Sequence, residues 1–183
     1  MKTTILVDND AQEGLGCEWG FSALIETDGA TILLDSGASG LFAQNAQVLG
    51  INLADVDYCV LSHAHFDHAD GFGDFFAIND HAPLLIRSSC EETCWSDAKG
   101  DMKYIGIQRG LLEQQALRIE RVDGTLQFAP GAWLLGHDTE GLEAIGEREH
   151  LYLKTDDGLV GDGFDHEQSL IICLLYTSDA ADE

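Results

Sequence analysis

The feature that most constrains this sequence is a histidine cluster placed directly after a short apolar segment. Residues 58–61 (YCVL) have the composition of a buried strand, and the sequence SHAHFDH follows at 62–68. His63 and His65 are two positions apart, so in an extended segment their side chains leave the same face, with Cα atoms roughly 6.5–7 Å apart. Two imidazoles at that separation can converge on one ion, with Zn–N bonds of about 2.0–2.1 Å.

The rest of the cluster adds two further ligands. Asp67 and His68 supply one oxygen and one nitrogen, which is enough to begin a second metal site about 3.5–4 Å from the first. A histidine cluster can also be a solvated polar loop. Here, however, it follows the carboxyl end of a strand, where α/β sheets place their ligands, and a flexible turn comes next at 70–73. The pattern therefore predicts a metal-dependent enzyme, with hydrolysis as the favoured chemistry.

The cluster also carries a family resemblance. SHAHFDH resembles the His-x-His-x-Asp-His signature of the metallo-β-lactamase superfamily. The segments WGFSALIE at 19–26 and ILLDSG at 32–37, with further matches at 45–50 and 164–170, resemble one branch of it. That branch contains metal-dependent hydrolase-like proteins related to dihydropterin–ribofuranosylaminobenzene phosphate synthase. The resemblance implies an α/β fold, the αββα metallo-β-lactamase-like sandwich, incomplete at the C-terminus.

Individual roles follow from the resemblance. It implies that His63, His65, Asp67 and His68 are metal ligands, and that Asp67 is also catalytic, orienting the nucleophile or accepting its proton. Asp35 ends an apolar segment and is expected to hold the metal loop from behind, although an Asx turn before Gly37 is compatible with the same residue. For His166 the resemblance supports an active-site position without a specific role. A solvated polar turn before a strand explains that histidine equally well.

Three functions are compatible with these residues. The first is a hydrolase with two zinc ions in the complete protein, in which a metal-activated water is the nucleophile; another divalent metal would serve the same chemistry. The second is a transferase related to the dihydropterin synthase. The third is a non-hydrolytic metal-binding or diiron redox module. This third function ranks last because diiron relatives usually carry a carboxylate where this chain has His65. The substrate is expected to be a small molecule, and the sequence does not name it.

Composition excludes some partners. Nine Lys and Arg stand against 33 Asp and Glu, a formal net charge of −24, and such a surface repels nucleic acid and anionic membranes. The N-terminal apolar stretch is too short for a secretory signal, so we expect a cytoplasmic protein with reduced thiols. Cys90 and Cys94 have no second pair to complete a zinc site, and we interpret them as ordinary thiols in a polar loop. The oligomeric state is left open.

The secondary-structure pattern is clearest in the first half of the chain. Residues 3–7 are predicted to form a strand, and 21–26 and 31–34 a hairpin around an Asp-Gly turn. A helix of about ten residues is expected between Gly40 and Gly50, because apolar residues recur there at helical spacing. Further strands are predicted at 84–86, 116–122, 132–135 and 169–175. Residues 88–101 are expected to be a polar excursion, and 138–150 an acidic surface loop.

The end of the chain departs from the family pattern. The branch continues into a hairpin and a Gly-Cys-Ser-His type motif after the segment matched by 164–170, whereas this chain goes on to IICLLYTSDAADE. We expect residues 1–173 to form a partial metallo-β-lactamase-like domain. Residues 174–183 resemble translated sequencing-adapter read-through, and we predict that they are a non-native tail; a genuine acidic C-terminus is the alternative. A chain ending there is predicted to be weakly active or inactive.

Overall fold

The largest element of the fold is a six-stranded mixed sheet. The computed structural model describes residues 1–137 and 139–173. The strands of this sheet, in spatial order, are β1 (Lys2–Val7), β2 (Ser22–Glu26), β3 (Thr31–Leu34), β4 (Tyr58–Val60), β5 (Leu84–Arg87) and β8 (Ile119–Val122). The first three strands pair antiparallel, and β3, β4, β5 and β8 run parallel. Four strands therefore end at the same edge of the sheet, where ligand sites of α/β proteins are found.

Two smaller sheets and five α-helices complete the described elements. One sheet has the order β13 (Gln168–Ile172), β10 (Ala132–Gly136), β9 (Thr125–Ala129); the other has the order β12 (Gly158–Gly161), β11 (Leu151–Thr155), β6 (Cys94–Ser96), β7 (Lys103–Tyr104). The helices are α1 (Leu41–Val48), α2 (Phe66–Ala69), α3 (Phe72–Ile78), α4 (Leu111–Gln114) and α5 (Glu143–Arg148). Short 3₁₀ turns occupy Leu53–Asp55 and Ala116–Arg118.

The core has two parts because the central strands are covered on both faces. Alternate residues of a strand point to opposite faces. Leu24 and Leu33 accordingly pack towards the helices, in the cluster that contains Phe42 of α1 and Phe72 of α3. Their neighbours in the strands contact the sheet formed by β9, β10 and β13; they are Ile25, Ile32, Val60 and Leu85. The buried strands therefore hold two layers together, and this rigid sheet carries the loops of the candidate site.

The structure confirms the predicted fold class. It is a mixed α/β fold with facing sheets and few helices, as in the metallo-β-lactamase-like sandwich. The first strand, the hairpin, the helix between the two glycines and the strand before the histidine cluster all form where the sequence predicts them. No helix within the described residues is both long and apolar enough to span a lipid bilayer. The proposed tail at 174–183 lies outside the described residues.

Two loop predictions were wrong. Residues 138–150 contain α5, a short and largely exposed helix. It has no apolar stripe, and its buried residue is Gly146, so helical periodicity is absent from the sequence. Residues 88–101 contain β6, and both Cys90 and Cys94 are buried, at 0% and 1% exposure. Their thiols belong to the core and not to a polar loop, because β6 pairs with β11 and β7 over that part of the molecule.

Candidate metal centre

Asp35 is the centre of a hydrogen-bond network behind the histidine cluster. It follows β3, is 1% exposed, and has a φ of 56°, a left-handed conformation that aspartate tolerates better than most residues. One carboxylate oxygen accepts the Ser62 backbone N–H at 2.7 Å. The other accepts the Ser62 hydroxyl and the Nδ1–H of His68, each at 2.7 Å. A single buried carboxylate thus fixes the start of the loop and its last histidine.

The same network determines which nitrogen each histidine presents. The hydroxyl hydrogen of Ser62 is donated to Asp35, so the 2.9 Å contact between Ser62 Oγ and His63 Nδ1 requires Nδ1–H as the donor. His68 likewise has its Nδ1–H on Asp35. In the neutral imidazoles both Nε2 lone pairs are therefore free. Carboxylate-directed histidines of this kind are typical of metal sites, where the second nitrogen is the ligand.

The three motif rings lie together. The ring centroid of His63 is 4.1 Å from that of His68 and 4.7 Å from that of His65. Nε2 of His65 is buried and has no hydrogen-bond partner among the described residues. A buried nitrogen without a partner is costly, and it is common where an ion or water completes the site. Three imidazoles consequently converge on one region at the edge of the parallel strands.

The electrostatics keep two of these imidazoles neutral. Burial lowers the pKa of His63 to about 2, and the positive charge of neighbouring histidines, first His68 and then His65, lowers it in the same direction. Burial also lowers the pKa of His65 to about 4, with His166 as the second cause. Burial lowers the pKa of His68 too, but the hydrogen bond and negative charge of Asp35 outweigh it and the net shift is upward. Neutral imidazole is the form that binds metal.

Asp67 is held through its backbone. It is half-buried, and its carbonyl oxygen accepts the Phe21 N–H at 3.2 Å. Gly20 lies so close that a Cβ built there would stand 2.3 Å from the same oxygen, and the φ of Gly20 is 149°. The glycine therefore allows the segment before β2 to pack on the metal loop. The Asp67 carboxylate is not part of the nearby group formed by His65, Cys94, Asp162 and His166.

A second group of side chains faces the motif from later in the chain. His166 is 3% exposed, and its ring centroid is 5.6 Å from that of His65 and 6.4 Å from that of His63. The Ala64 N–H donates to its Nδ1 at 3.1 Å, so a neutral His166 carries its proton on Nε2. That Nε2 is 3.0 Å from Asp162 Oδ2 and 3.8 Å from Cys94 Sγ. One ligand atom each from His65, Cys94, Asp162 and His166 lies within 4.8 Å of all the others.

The pKa values of Asp162 and Cys94 shift in opposite directions. Burial raises the pKa of Asp162, but the hydrogen bond and charge of His166 outweigh it and the net shift is downward. Burial raises the pKa of the Cys94 thiol, and the negative charge of Asp162 adds to that rise. Sequence reasoning named His166 but missed Cys94 and Asp162. One signal could have indicated Asp162, namely its position between two glycines and four residues before His166. No local feature of the sequence distinguished Cys94 from Cys90.

A cavity of about 420 Å³ opens beside His63. Its lining includes Ser62 and His63 from the metal loop, His137 after β10, and Glu167 and Gln168 at the start of β13. The volume lies in the range of small-molecule sites, which is about 300–1,000 Å³. The histidine cluster and this cavity share His63, so a molecule in the cavity would lie against the cluster.

Comparison with known families identifies the fold. The sequence profile of the metallo-β-lactamase superfamily matches residues 16–173, which include every residue of the candidate centre. The chain belongs to the metallo-β-lactamase superfamily. A structural comparison agrees: the crystal structure of Tm1679, described as a metal-dependent hydrolase of the β-lactamase superfamily, superimposes with a TM-score of 0.70 at 21% identity. That match covers 93% of this chain and 60% of Tm1679, and it shows the fold alone.

Two known proteins are related to this chain by sequence. The uncharacterized protein MJ0448 of Methanocaldococcus jannaschii is 35% identical over 111 residues, which is 60% of this chain and 41% of that protein. The anti-Pycsar protein Apyc1 of Saccharibacillus brassicae is 28% identical over 115 residues, 60% of this chain and 46% of that protein. The chain thus spans less than half the length of either relative. The predicted branch, related to the dihydropterin synthase, is not confirmed by these matches.

Proposed function

We propose that this chain carries the metal-binding part of a dinuclear zinc hydrolase that acts on a small molecule. The observation that carries the proposal is the set of free Nε2 atoms on His63, His65 and His68. The Asp35 network leaves two of them unprotonated, and the third is buried without a partner among the described residues. The donor set fits zinc, which prefers imidazole nitrogen and carboxylate oxygen.

The roles of the residues follow from their hydrogen bonds. His63 and His65 would hold one ion, and His68 with Asp67 the other. Asp35 keeps the His68 ring in the ligand orientation, and Ser62 relays the same control to His63. When bound, zinc would supply Lewis-acid polarisation of a substrate oxygen and activation of water near neutral pH. Asp67 is half-exposed beside the cluster and would orient the attacking water or accept its proton.

The small-molecule assignment is supported by the cavity beside His63. Its volume is about 420 Å³, and its lining mixes apolar residues with serine, histidine, glutamate and glutamine side chains. Such a lining can position a polar substrate group against the imidazoles. Tm1679, described as a metal-dependent hydrolase, has a similar fold, which is consistent with this chemistry.

The experiment is a hydrolysis assay with a phosphodiester and a lactone, on zinc-loaded and chelator-treated protein. We expect turnover to require zinc and to fall by about 10²-fold or more in Asp67→Ala. Asp80→Ala, at an exposed carboxylate, should leave turnover unchanged. Turnover that survives both chelation and Asp67→Ala would contradict the proposal.

The same assay tests the prediction about the end of the chain. The chain from Met1 to Glu183 is compared with the full-length gene product recovered from the source genome. We expect the shorter chain to hold less zinc and to turn over more slowly. Equal zinc content and comparable turnover would show that the truncation prediction is wrong.

A further inference from the structure

We propose that His166 and Asp162 are positioning residues for the metal ligands, acting on the backbone of the metal loop (residues 62–68) between His63 and His65. The inference rests on the proposed function, because it concerns the same histidine ligands. It assigns a role to two residues that lie outside the His-x-His-x-Asp-His motif, and in this arrangement neither of them is itself a ligand.

A chain of two hydrogen bonds joins Asp162 to the metal loop. The Ala64 N–H donates to Nδ1 of His166 at 3.1 Å, and Nε2 of His166 is 3.0 Å from Oδ2 of Asp162. Because a backbone N–H can only donate, Nδ1 is the unprotonated nitrogen and the ring proton lies on Nε2, where the carboxylate accepts it. Both ring nitrogens are therefore in use, and His166 connects the carboxylate to the loop.

The point of contact is the residue between the two histidines that share an ion in the proposed function. Ala64 is 0% exposed, and a shift of its peptide would move the backbone of both His63 and His65. The Asp35 carboxylate acts on the two ends of the loop, whereas His166 acts at its middle. Hydrogen bonds that hold metal ligands from outside the coordination sphere orient them and raise metal affinity.

The pair is held in place by the turn that carries it. The Phe164 N–H donates to Oδ1 of Asp162 at 2.7 Å, and the φ of Phe164 is 57°, an uncommon conformation for an aromatic residue. The Phe164 carbonyl accepts the Glu167 N–H at 2.9 Å and the Nε2–H of His137. A strained residue persists only where its surroundings over-determine it. Three hydrogen bonds on Phe164 thus fix the turn.

Gln168 fastens the same segment to the ends of β4 and β5. Its N–H donates to the Ser62 carbonyl at 2.8 Å. Its buried side-chain amide donates to the carbonyls of Leu61 at 2.9 Å and Leu85 at 3.0 Å. These bonds tie the segment to the start of the metal loop and to the neighbouring strand, so the His166 ring is kept against the loop.

The first test separates positioning from ligation. Nitrogen-15 NMR of the histidine side chains is recorded before and after the protein is loaded with Zn²⁺. We expect His166 to keep its proton on Nε2 and its lone pair on Nδ1 in both states, because both nitrogens are already hydrogen-bonded. Loss of the Nε2 proton upon zinc loading would make His166 a ligand and overturn the inference.

The second test asks whether the two hydrogen bonds control zinc affinity. His166→Leu removes both, and we expect the affinity, measured by competition with a chelating dye, to fall by roughly 10–100-fold. His166→Gln should retain most of the affinity, because its amide can accept the Ala64 N–H and donate to Asp162. Asp162→Asn should weaken zinc binding, since its NH₂ would face either the Nε2–H of His166 or the Phe164 N–H.

Asn79→Ala is the matched control for a general loss of stability. Asn79 is a buried polar residue whose hydrogen bonds join it to Leu53, Val56 and Ala82, away from the metal loop. We expect Asn79→Ala to lower the urea midpoint, as His166→Leu does, but to leave zinc affinity unchanged.

The outcomes distinguish this inference from the proposed function. Wild-type zinc affinity in His166→Leu, or an equal loss of affinity in Asn79→Ala and His166→Leu, would overturn the positioning role while zinc binding by the wild type leaves the proposed function standing. A wild type that binds no zinc would contradict the proposed function, and the positioning role with it.

Discussion

The candidate centre is built from two regions of different kinds. One is the contiguous segment 62–68, in which Asp35, at the end of a neighbouring strand, orients His68 directly and His63 through Ser62. The other joins Cys94 to Asp162 and His166 across 72 residues of chain. In the first region chain spacing brings the ligands close together, and Asp35 orients two of them. In the second, sheet pairing between β6 and β11 and the packing of α5 are needed before the side chains meet.

The largest expected effect comes from the carboxylate behind the contiguous region. In Asp35→Asn the amide offers one acceptor oxygen where the carboxylate accepts three hydrogen bonds, and its NH₂ can donate to His68 Nδ1. That would move the His68 proton to Nε2 and block the ligand atom. We expect a loss of about 3–5 kcal/mol in unfolding free energy and roughly a 10–100-fold weaker zinc affinity.

Urea denaturation and zinc titration measure these two quantities. Asp80→Asn is the control, because Asp80 is fully exposed and its loss should stay within about 0.5 kcal/mol. Wild-type zinc affinity in Asp35→Asn would mean that the tautomer argument is wrong.

The next effect tests how the contiguous region is packed. Gly20→Ala would place a Cβ 2.3 Å from the Asp67 carbonyl oxygen, in a positive-φ conformation. We expect a destabilisation of about 2–4 kcal/mol, from overpacking and backbone strain together. Gly100→Ala separates the two causes, because Gly100 also has a positive φ of 95° but nothing within 4 Å of its Cβ position. Thermal unfolding should show a clearly smaller loss for Gly100→Ala, and equal losses would remove the packing argument.

The smallest effect tests the dispersed region. A Cβ on Gly146 of α5 would lie 2.3 Å from the Asp162 carbonyl oxygen and 2.5 Å from its nitrogen. Replacing a helical glycine by alanine normally stabilises by about 0.5–1 kcal/mol. Here we expect a net destabilisation of about 1–2 kcal/mol, because the helix must move away from Asp162.

Gly73→Ala in α3 is the matched control for that change. The nearest atom to its Cβ position is 3.8 Å away, so alanine should stabilise α3 by about 0.5–1 kcal/mol. Chemical denaturation of both variants gives the comparison. If Gly146→Ala stabilised the protein as Gly73→Ala does, α5 would not be what positions Asp162.

The sequence predicted those parts of the fold that have a local signal. The hairpin has its Asp-Gly turn, α1 its flanking glycines, and β4 and β5 their continuous apolar runs, which is typical of strands buried on both faces. The helix α5 was missed because its packing depends on a glycine against a distant backbone. The strand β6 was missed because it is only three residues long and two of them, Trp95 and Ser96, are only half-buried, so the sequence resembles that of a loop.

The same distinction applies to the candidate centre. The motif histidines share one short segment, so their grouping could be predicted from spacing. The partnership of Asp35 with His68 was anticipated only through the family resemblance. Cys94 and Asp162 could not be predicted as neighbours, because the distance between them in space is set by sheet order and not by chain spacing.

The central claim is that the Nε2 atoms of the motif histidines bind metal. Its most direct test is the zinc content of chelator-stripped protein after equilibrium dialysis against Zn²⁺, for the wild type, His65→Ala and His81→Ala. His81 is exposed and outside the cluster, so His81→Ala serves as the matched histidine control. We predict at least one tightly bound zinc per chain in the wild type and in His81→Ala, and loss of that stoichiometric zinc in His65→Ala. A wild type that retains no zinc, or a His65→Ala variant that retains as much as the wild type, would contradict the claim.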